Sequence, residues 1–574
     1  MNMVTVNILS MSVKDCFFEK YSVFKMRVGK NDWKKLDMVN NEFLASAMEY
    51  DGPDRNFFVL VPAEPAAQIK VRNKLDELGF DYGTVQKMGK SSIPYKLILS
   101  AAVRARGGMV LSGRLYLYSP GITDGVFLGR RFSFTMPEIS VDANGVISVH
   151  NVTFRKVEGS GYDETKGSPV YTVNKGDLVR KYDPPFNDCV YRHGVEGQKA
   201  ETISWLSVGK VASFHASRNH MIRDIVCRAN KLFDGCVTLS FREAESIQDY
   251  STGMSAKKYK ASTDVMIKKR FFDIGIDSDI PEMLEEYGIA KGNDAAIRLI
   301  DSKEEYKARG VSDEHVADLS VQQVLRDTVD NLKLEDGTYK PRKNRKGEIV
   351  GKYSGGVMGV FRKNLIELAI KQDILACKDI LNPDAEPMIV LMRSGEDRMI
   401  YASRDAQGCL EFGSFYISGI DSPDCVLPYI DEISCIDEDK FIIHEGMVYG
   451  LKETMVMPLA DQMASTEIRE RDGKVRGDKK DGIRTRLFGG MLDAHIYAID
   501  DHIYYYASVP GSGMNETIDK AFYLVEIIGG SVTEDYTWLL DSVCVTYVGV
   551  GDRYTKFPYL FKYLREWDAA QPEL

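Results

Sequence analysis

The densest group of chemistry-bearing residues is a basic loop, Arg342-Lys343-Asn344-Arg345-Lys346, in a chain of net charge −10. Four cations in five positions can contact phosphates if further donors converge on them. Alone they make a hydrated loop. The other candidate motifs are incomplete. His215 and His220 are five residues apart, whereas zinc ligands on one helix face are spaced three or four apart and need a third ligand. The acidic run 431–440 (DEISCIDEDK) lacks the loop glycine and terminal glutamate of a calcium loop and reads as a hydrated face. Gly511-Ser512-Gly513 lacks the flanking pattern of a nucleophile elbow. GKYSGG at 351–356 has glycines but not the order of a nucleotide-triphosphate loop. The nine cysteines contain no CxxC pair, so they imply neither a zinc ribbon nor a disulfide framework and fit free thiols in a reducing compartment. No complete catalytic signature is present.

Several elements must position these residues. At 574 residues the chain is expected to hold about three or four domains. Its 44% hydrophobic and 28% charged content supplies more than one core and excludes wholesale disorder. The N-terminus has no basic region followed by an apolar stretch, and no apolar run suits a membrane span, so a cytoplasmic location is expected.

In the first hundred residues, 3–9, 21–28 and 56–61 read as strands, while 32–50 and 64–78 carry apolar residues at helical spacing. Residues 109–119 alternate with period two, and 141–154 read as a hairpin turning at Asn144-Gly145. Beyond about residue 215, helices are expected at 218–233, 279–287, 304–309, 321–332 and from about 362 to 381. The last part opens with a strand at 388–392. A hairpin turning near 405–408, a buried strand at 440–444 and an amphipathic helix at 558–567 follow. Residues 466–486 form a charged stretch with two Asp-Gly turns.

Residues 298–356 resemble the MID domain of Argonaute-like proteins. In that family a tyrosine and a lysine on one helix, a later glutamine, and a lysine before a Gly-Gly pair bind the 5′ phosphate of a guide strand. Tyr306, Lys307, Gln323 and Lys352 stand at the matching positions, the last ahead of Gly355-Gly356. Two departures are visible: Tyr306 and Lys307 are adjacent, and one residue is inserted before the glycines. Residues from 387 onward resemble a PIWI domain of the RNase H type. The first strand there ends in Arg393-Ser394 rather than an aspartate, and His444-Glu445-Gly446 stands where the family often has Arg-Asp-Gly.

The resemblance implies an α/β and α+β multi-domain chain: a β-rich N-terminal half, a Rossmann-like MID part and an RNase H-like PIWI part. The expected segments are 1–100 (α/β), 101–215 (β-rich linker), 216–386 (MID-like) and 387–574 (PIWI-like). It implies guide-strand-dependent nucleic-acid binding without cleavage, because two-metal hydrolysis needs several carboxylates. No catalytic or metal-binding residue is implied, and no cofactor beyond a magnesium ion at the guide 5′ end. Arg342, Lys343, Arg345 and Lys346 would hold nucleic-acid backbone. The implied partners are a short guide RNA or DNA, a complementary target, and a separate nuclease or helicase-nuclease effector in defence against plasmids or phages. A non-enzymatic structural or assembly protein of viral or phage origin is the competing expectation.

Overall fold

Among the described residues strands hold more of the chain than helices do, and pairing between distant strands decides the architecture. The computed structural model describes residues 3–571 except 30–31, 33–34, 37–42, 52–53, 85–92, 106, 112, 118–132, 143–144, 159–161, 163–167, 175–176, 195–216, 256–260, 262, 269–295, 301–320, 345, 396, 419–420, 455, 457–463, 469–482, 488–490, 509–521 and 545–554. The helices expected at 279–287 and 304–309 lie outside the described residues.

The N-terminal part contains β1 (Met3–Val13), α1 (Phe17–Lys20), β2 (Tyr21–Arg27), β3 (Ala45–Asp51), β4 (Asp54–Pro62), α2 (Pro65–Glu77), β5 (Tyr82–Thr84) and α3 (Tyr95–Ala105). Strands β3-β4-β2-β5 form an antiparallel sheet in that order. Residues 45–50, expected as helix, pair with β4 instead, from Ala45 opposite Leu60 onward. Ala45, Ala47 and Met48 are buried there, so sheet burial overrides their local spacing.

Seven strands follow: β6 (Met109–Leu111), β7 (Arg114–Tyr116), β8 (Ser133–Val141), β9 (Ile147–Lys156), β10 (Val170–Asn174), β11 (Asp177–Lys181) and β12 (Val190–Gly194). They pair in the order β6-β7-β8-β9-β12-β10-β11, and β11 returns beside β6. Each strand contributes to one closed core, for instance Met109, Tyr116, Phe134, Phe154, Tyr171, Leu178 and Val190. Residues 109–119 are two short strands rather than one, because the chain reverses at Gly113 with φ +75°. The hairpin expected over 141–154 is present: Val141 pairs with Ile147, and Gly145 has φ +80°, while Asn144 lies outside the described residues.

Helix α4 (Arg218–Leu232) ends before Asp234 and Gly235, both at positive φ, and leads into β13 (Val237–Ser255). Then come β14 (Ala296–Ile300), β15 (Val321–Leu325), α5 (Arg326–Asp330), β16 (Arg342–Lys343), β17 (Ile349–Gly351) and α6 (Gly355–Leu375). The C-terminal part holds β18 (Met388–Arg393), β19 (Arg398–Arg404), β20 (Leu410–Tyr416), α7 (Ile430–Cys435), β21 (Lys440–His444) and β22 (Met447–Glu453). It continues through β23 (Ala464–Ile468), β24 (Ile483–Leu487), β25 (Met491–Ile499), β26 (His502–Ser508), β27 (Phe522–Ile528), α8 (Thr537–Val543) and α9 (Leu560–Ala569).

The large sheet is an antiparallel ladder, β20-β19-β18-β21-β22-β27-β26-β25-β13-β1. Strand β13 joins its halves: residues 237–245 pair with β1 and residues 245–255 with β25. The ladder therefore draws strands from the segments 1–100, 216–386 and 387–574. Helices α6, α8 and α9 share one core with it, through Phe361, Leu365, Leu540, Leu560, Val390 and Ile400 among others. The chain is a mixed α+β protein with a large antiparallel sheet. Among the described residues no helix is long and apolar enough to cross a membrane.

Candidate nucleic-acid interface

The scaffold of the site is a parallel strand pair with a helix across it. Strands β14 and β15 run parallel, with Arg298 opposite Gln323, and α6 packs on β15. Residues 321–332, expected as one helix, are a strand followed by the short α5. Val321 and Val324 are buried, and β-branched residues suit a covered parallel pair. Gln322 donates its amide to Asn364 Oδ1 at 3.3 Å and to Glu367 Oε2 at 2.7 Å. The Lys371 ammonium donates to the Val321 carbonyl at 2.9 Å. Glu367 in turn meets Lys562 of α9 at 3.3 Å. These contacts fix α6 between the parallel pair and the C-terminal helix.

The basic loop is a β-hairpin. Arg342 pairs with Gly351 and Lys343 with Ile349, leaving Val350 as a bulge. Asn344 organises the turn: its Oδ1 accepts the N–H groups of Lys346 at 2.9 Å and Glu348 at 3.0 Å. Gly347 supplies φ +86°, a value that favours glycine. Arg342, Lys343 and Lys346 are exposed. So are Ile349 at 68% and Val350 at 54%.

The hairpin runs directly into the start of α6. Lys352 is exposed, with its ammonium 5.3 Å from the Tyr353 ring centre. Tyr353 is buried, edge-on to Tyr339. The Ser354 N–H donates to the Lys340 carbonyl at 2.7 Å, and its Oγ caps α6 by accepting the Val357 N–H at 3.3 Å. Gly355 and Gly356 follow, both exposed. A Cβ on Gly355 would meet nothing within 4 Å. First-turn N–H groups have no carbonyl partner inside their own helix, and a 21-residue helix presents the positive end of its dipole there. An exposed ammonium beside exposed first-turn N–H groups suits an anion, above all a phosphate.

Of the residues singled out for this site, Arg342 and Lys343 lie on the hairpin strand paired with 349–351, Lys346 lies in the hairpin turn, and Lys352 lies just ahead of the α6 cap, all four exposed. Gln323 lies on β15, where its backbone faces Arg298. Tyr306, Lys307 and Arg345 lie outside the described residues. Helix α6 starts seven residues before the expected residue 362. Ser354 is the N-cap signal that marks the true start. The helix stops at Leu375 rather than 381 because Cys377 takes φ +47° and the Lys378 N–H folds back to the Asp373 carbonyl. A magnesium ion takes oxygen ligands; at the helix start itself the exposed cation is Lys352 and the hydroxyl of Ser354 caps the helix, so these two do not fit as its holders.

The positions matched to the RNase H type are also placed. The Arg393 guanidinium donates to the carbonyls of Glu438 at 2.8 Å and Ile436 at 3.5 Å, and lies 5.6 Å from the Phe441 ring centre. Glu445 and Gly446 form the two-residue turn between β21 and β22, with φ +46° and +83°, as a tight hairpin requires. His444 stacks on Trp538 at 4.1 Å, and its Nδ1 lies 3.1 Å from the Pro387 carbonyl. Among the described residues no three His, Cys, Asp or Glu side chains are grouped to hold a metal ion.

One further cluster has no local sequence signal. Asp373, Asp379, Asn382, Arg404, Tyr559 and Tyr563 are buried together where α6, β19 and α9 meet. Arg404 Nε donates to Asp379 Oδ2 at 3.1 Å. Its other four N–H groups reach the carbonyls of Ala385, Asp405, Asn382 and Pro383. Tyr559 donates to Asp379, and Tyr563 donates to Asp373 at 2.9 Å. Burial first, then the neighbouring carboxylates, holds both phenols well above their ordinary pKa, so they stay O–H donors.

The chain bears a weak likeness to prokaryotic Argonaute structures along nearly its whole length. One is the Marinitoga piezophila Argonaute in complex with 5′ OH guide RNA and target DNA: TM-score 0.41, 9% identity, 99% of this chain and 100% of that one. Another is the Argonaute protein from Methanocaldcoccus janaschii: TM-score 0.32, 10% identity, 100% of this chain and 97% of that one. No protein-family model and no curated protein matches the chain.

Proposed function

We propose that this chain binds the 5′ end of a short nucleic-acid guide at the start of α6, pairs it with a complementary target, and does so without cutting. The observation that supports this reading is the set of exposed donors within residues 342–356: the hairpin cations Arg342, Lys343 and Lys346, then Lys352, then the Ser354-capped helix start at Gly355-Gly356. In this reading the parallel β14–β15 pair with α6 across it belongs to a Rossmann-like MID part, with Tyr306, Lys307 and Gln323 as further phosphate ligands. The segment from 387 is the PIWI-like part. Binding without cleavage is supported by Arg393-Ser394, where an RNase H-type strand would bring an aspartate. It is supported too by Glu445, which occupies a hairpin turn. A separate effector would then act on the captured target.

The test compares binding of 5′-phosphorylated and 5′-hydroxyl RNA and DNA oligonucleotides. The Marinitoga complex holds a 5′ OH guide, so both ends belong in the assay. Lys352→Ala should weaken phosphorylated strands by about tenfold, the scale of one charge-assisted contact of roughly 1.5 kcal/mol, and hydroxyl strands far less. Equal losses would place Lys352 away from the 5′ end, and no oligonucleotide binding by the unaltered chain would end the reading.

Ser354 separates helix stability from ligand binding. Ser354→Ala should destabilise α6 by about 1 kcal/mol, seen as faster hydrogen exchange over residues 357–361. Ser354→Asp should keep the cap and its protection, yet weaken strand binding, because its carboxylate sits among the phosphate donors. Strand binding unchanged by Ser354→Asp would move the anion site off this helix start.

A further inference from the structure

Phosphate recognition at α6 uses the cations but leaves the hairpin's aliphatic residues without a role. Ile349 is 68% exposed and Val350 54%, side by side on a ten-residue element (342–351) whose other exposed side chains include Arg342, Lys343 and Lys346. A bulge at Val350 interrupts the alternation that would normally send neighbours to opposite faces. The carboxylate of Glu348 accepts the Asn344 amide within the turn at 2.6 Å. The ribbon therefore offers cations and aliphatic side chains together.

This combination matches a single-stranded nucleic acid, with phosphates for the cations and base or sugar faces for the aliphatics. Apolar side chains such as isoleucine also wedge against bases in other nucleic-acid complexes. A lipid surface would call for a broader apolar face than two side chains. We infer that the β16–β17 hairpin is a base-contacting element, in which Ile349 and Val350 pack on the first nucleotides of a bound strand while Arg342, Lys343 and Lys346 hold its backbone. The inference rests on the 5′-end reading above and deepens it. Six residues lead from Ile349 to Gly355, a span of at most about 20 Å. At roughly 3.4 Å per stacked nucleotide, the hairpin reaches about the first six.

The test uses the full chain carrying Ile349→Thr and Val350→Thr, both β-branched so that strand preference is kept. Its ligands are 5′-phosphorylated oligonucleotides with 2-aminopurine at each of positions 1 to 6. The unaltered chain should change the fluorescence at one or more of these positions. The double variant should abolish that change and bind about tenfold more weakly, with its preference for 5′-phosphate over 5′-hydroxyl intact. A preserved fluorescence change and unaltered affinity would overturn the base contact while leaving the 5′-end reading standing. Failure of the unaltered chain to distinguish or bind the strands would overturn that reading instead. A second measurement needs no variant: strands carrying 5-iodouridine at the same positions should photocrosslink to the 347–352 peptide. Crosslinks falling wholly elsewhere would overturn the inference, as would variants that lose binding to anionic vesicles or an acidic peptide but not to oligonucleotides.

Discussion

Replacing Arg404 with leucine should destabilise the C-terminal half by about 3–5 kcal/mol, the range for removing one partner of a buried ion pair. The Arg404 and Asp379 side chains are 1% and 0% exposed and 3.1 Å apart. All five guanidinium N–H donors are used, one on Asp379 and four on backbone carbonyls. Leucine would leave a buried carboxylate and four carbonyls without this donor. Asp379 would keep only Tyr559, Tyr563 and the Asn382 groups as donors. The double variant Arg404→Leu with Asp379→Leu removes both charges and should recover a substantial part of the loss. That recovery separates the penalty of an unpaired charge from the net worth of the pair, which is often small. Denaturant unfolding can be followed by Trp538 and Trp567, which both lie against this core, with Trp33 and Trp205 replaced by phenylalanine. A loss below about 1 kcal/mol, the scale of an exposed pair, would mean that water reaches the cluster.

That cluster also shows where reading the residues in order runs out. Hairpins and helix ends carry their own signals: Gly79 stops α2, Gly145 lies between β8 and β9 with φ +80°, and Gly408 turns β19 into β20 with φ +77°. Each is a local backbone requirement that a nearby glycine meets. Strand β13 carries no comparable signal. Much of it is polar, and it forms because β1 and β25, some 240 residues away on either side, supply its partners. The helix expected at 321–332 fails for the same reason, since β14 rather than local spacing decides what Val321–Leu325 becomes. Asp379 and Tyr563 lie 184 residues apart, so their contact has no trace in spacing. At the candidate site, the concentration of cations was legible from charge alone, and Lys352 from its place before the glycines. Their structural setting was not, because it depends on a hairpin set by Asn344 and Gly347 and on Ser354 starting α6 seven residues early.

The largest functional effect should come from removing those cations as a unit. A chain carrying Arg342→Gln, Lys343→Gln, Lys346→Gln and Lys352→Gln loses four exposed charges; Lys352 gives up its position near the Tyr353 ring, worth about 0.5–1 kcal/mol at an exposed site, so the fold should persist. Each cation near a phosphate is worth about 1 kcal/mol at 4 Å in water. Four together should therefore weaken strand binding by about a thousandfold at low salt. Released counterions give the sharper test. For single strands, log affinity falls against log salt with a slope of about −0.7 per neutralised phosphate. Four lost contacts should flatten the slope by roughly 2.8, and the two chains should converge in affinity at high salt, where exposed charges are screened. The general field must be distinguished from contact, because four fewer cations also make this acidic chain more negative. Removing Lys70, Arg223, Lys231 and Lys452, exposed elsewhere, changes net charge equally. If that control flattens the slope as much, the hairpin and the start of α6 act only through net charge, and the phosphate site lies elsewhere. If the control keeps the slope while the hairpin variant loses it, the four cations touch the strand.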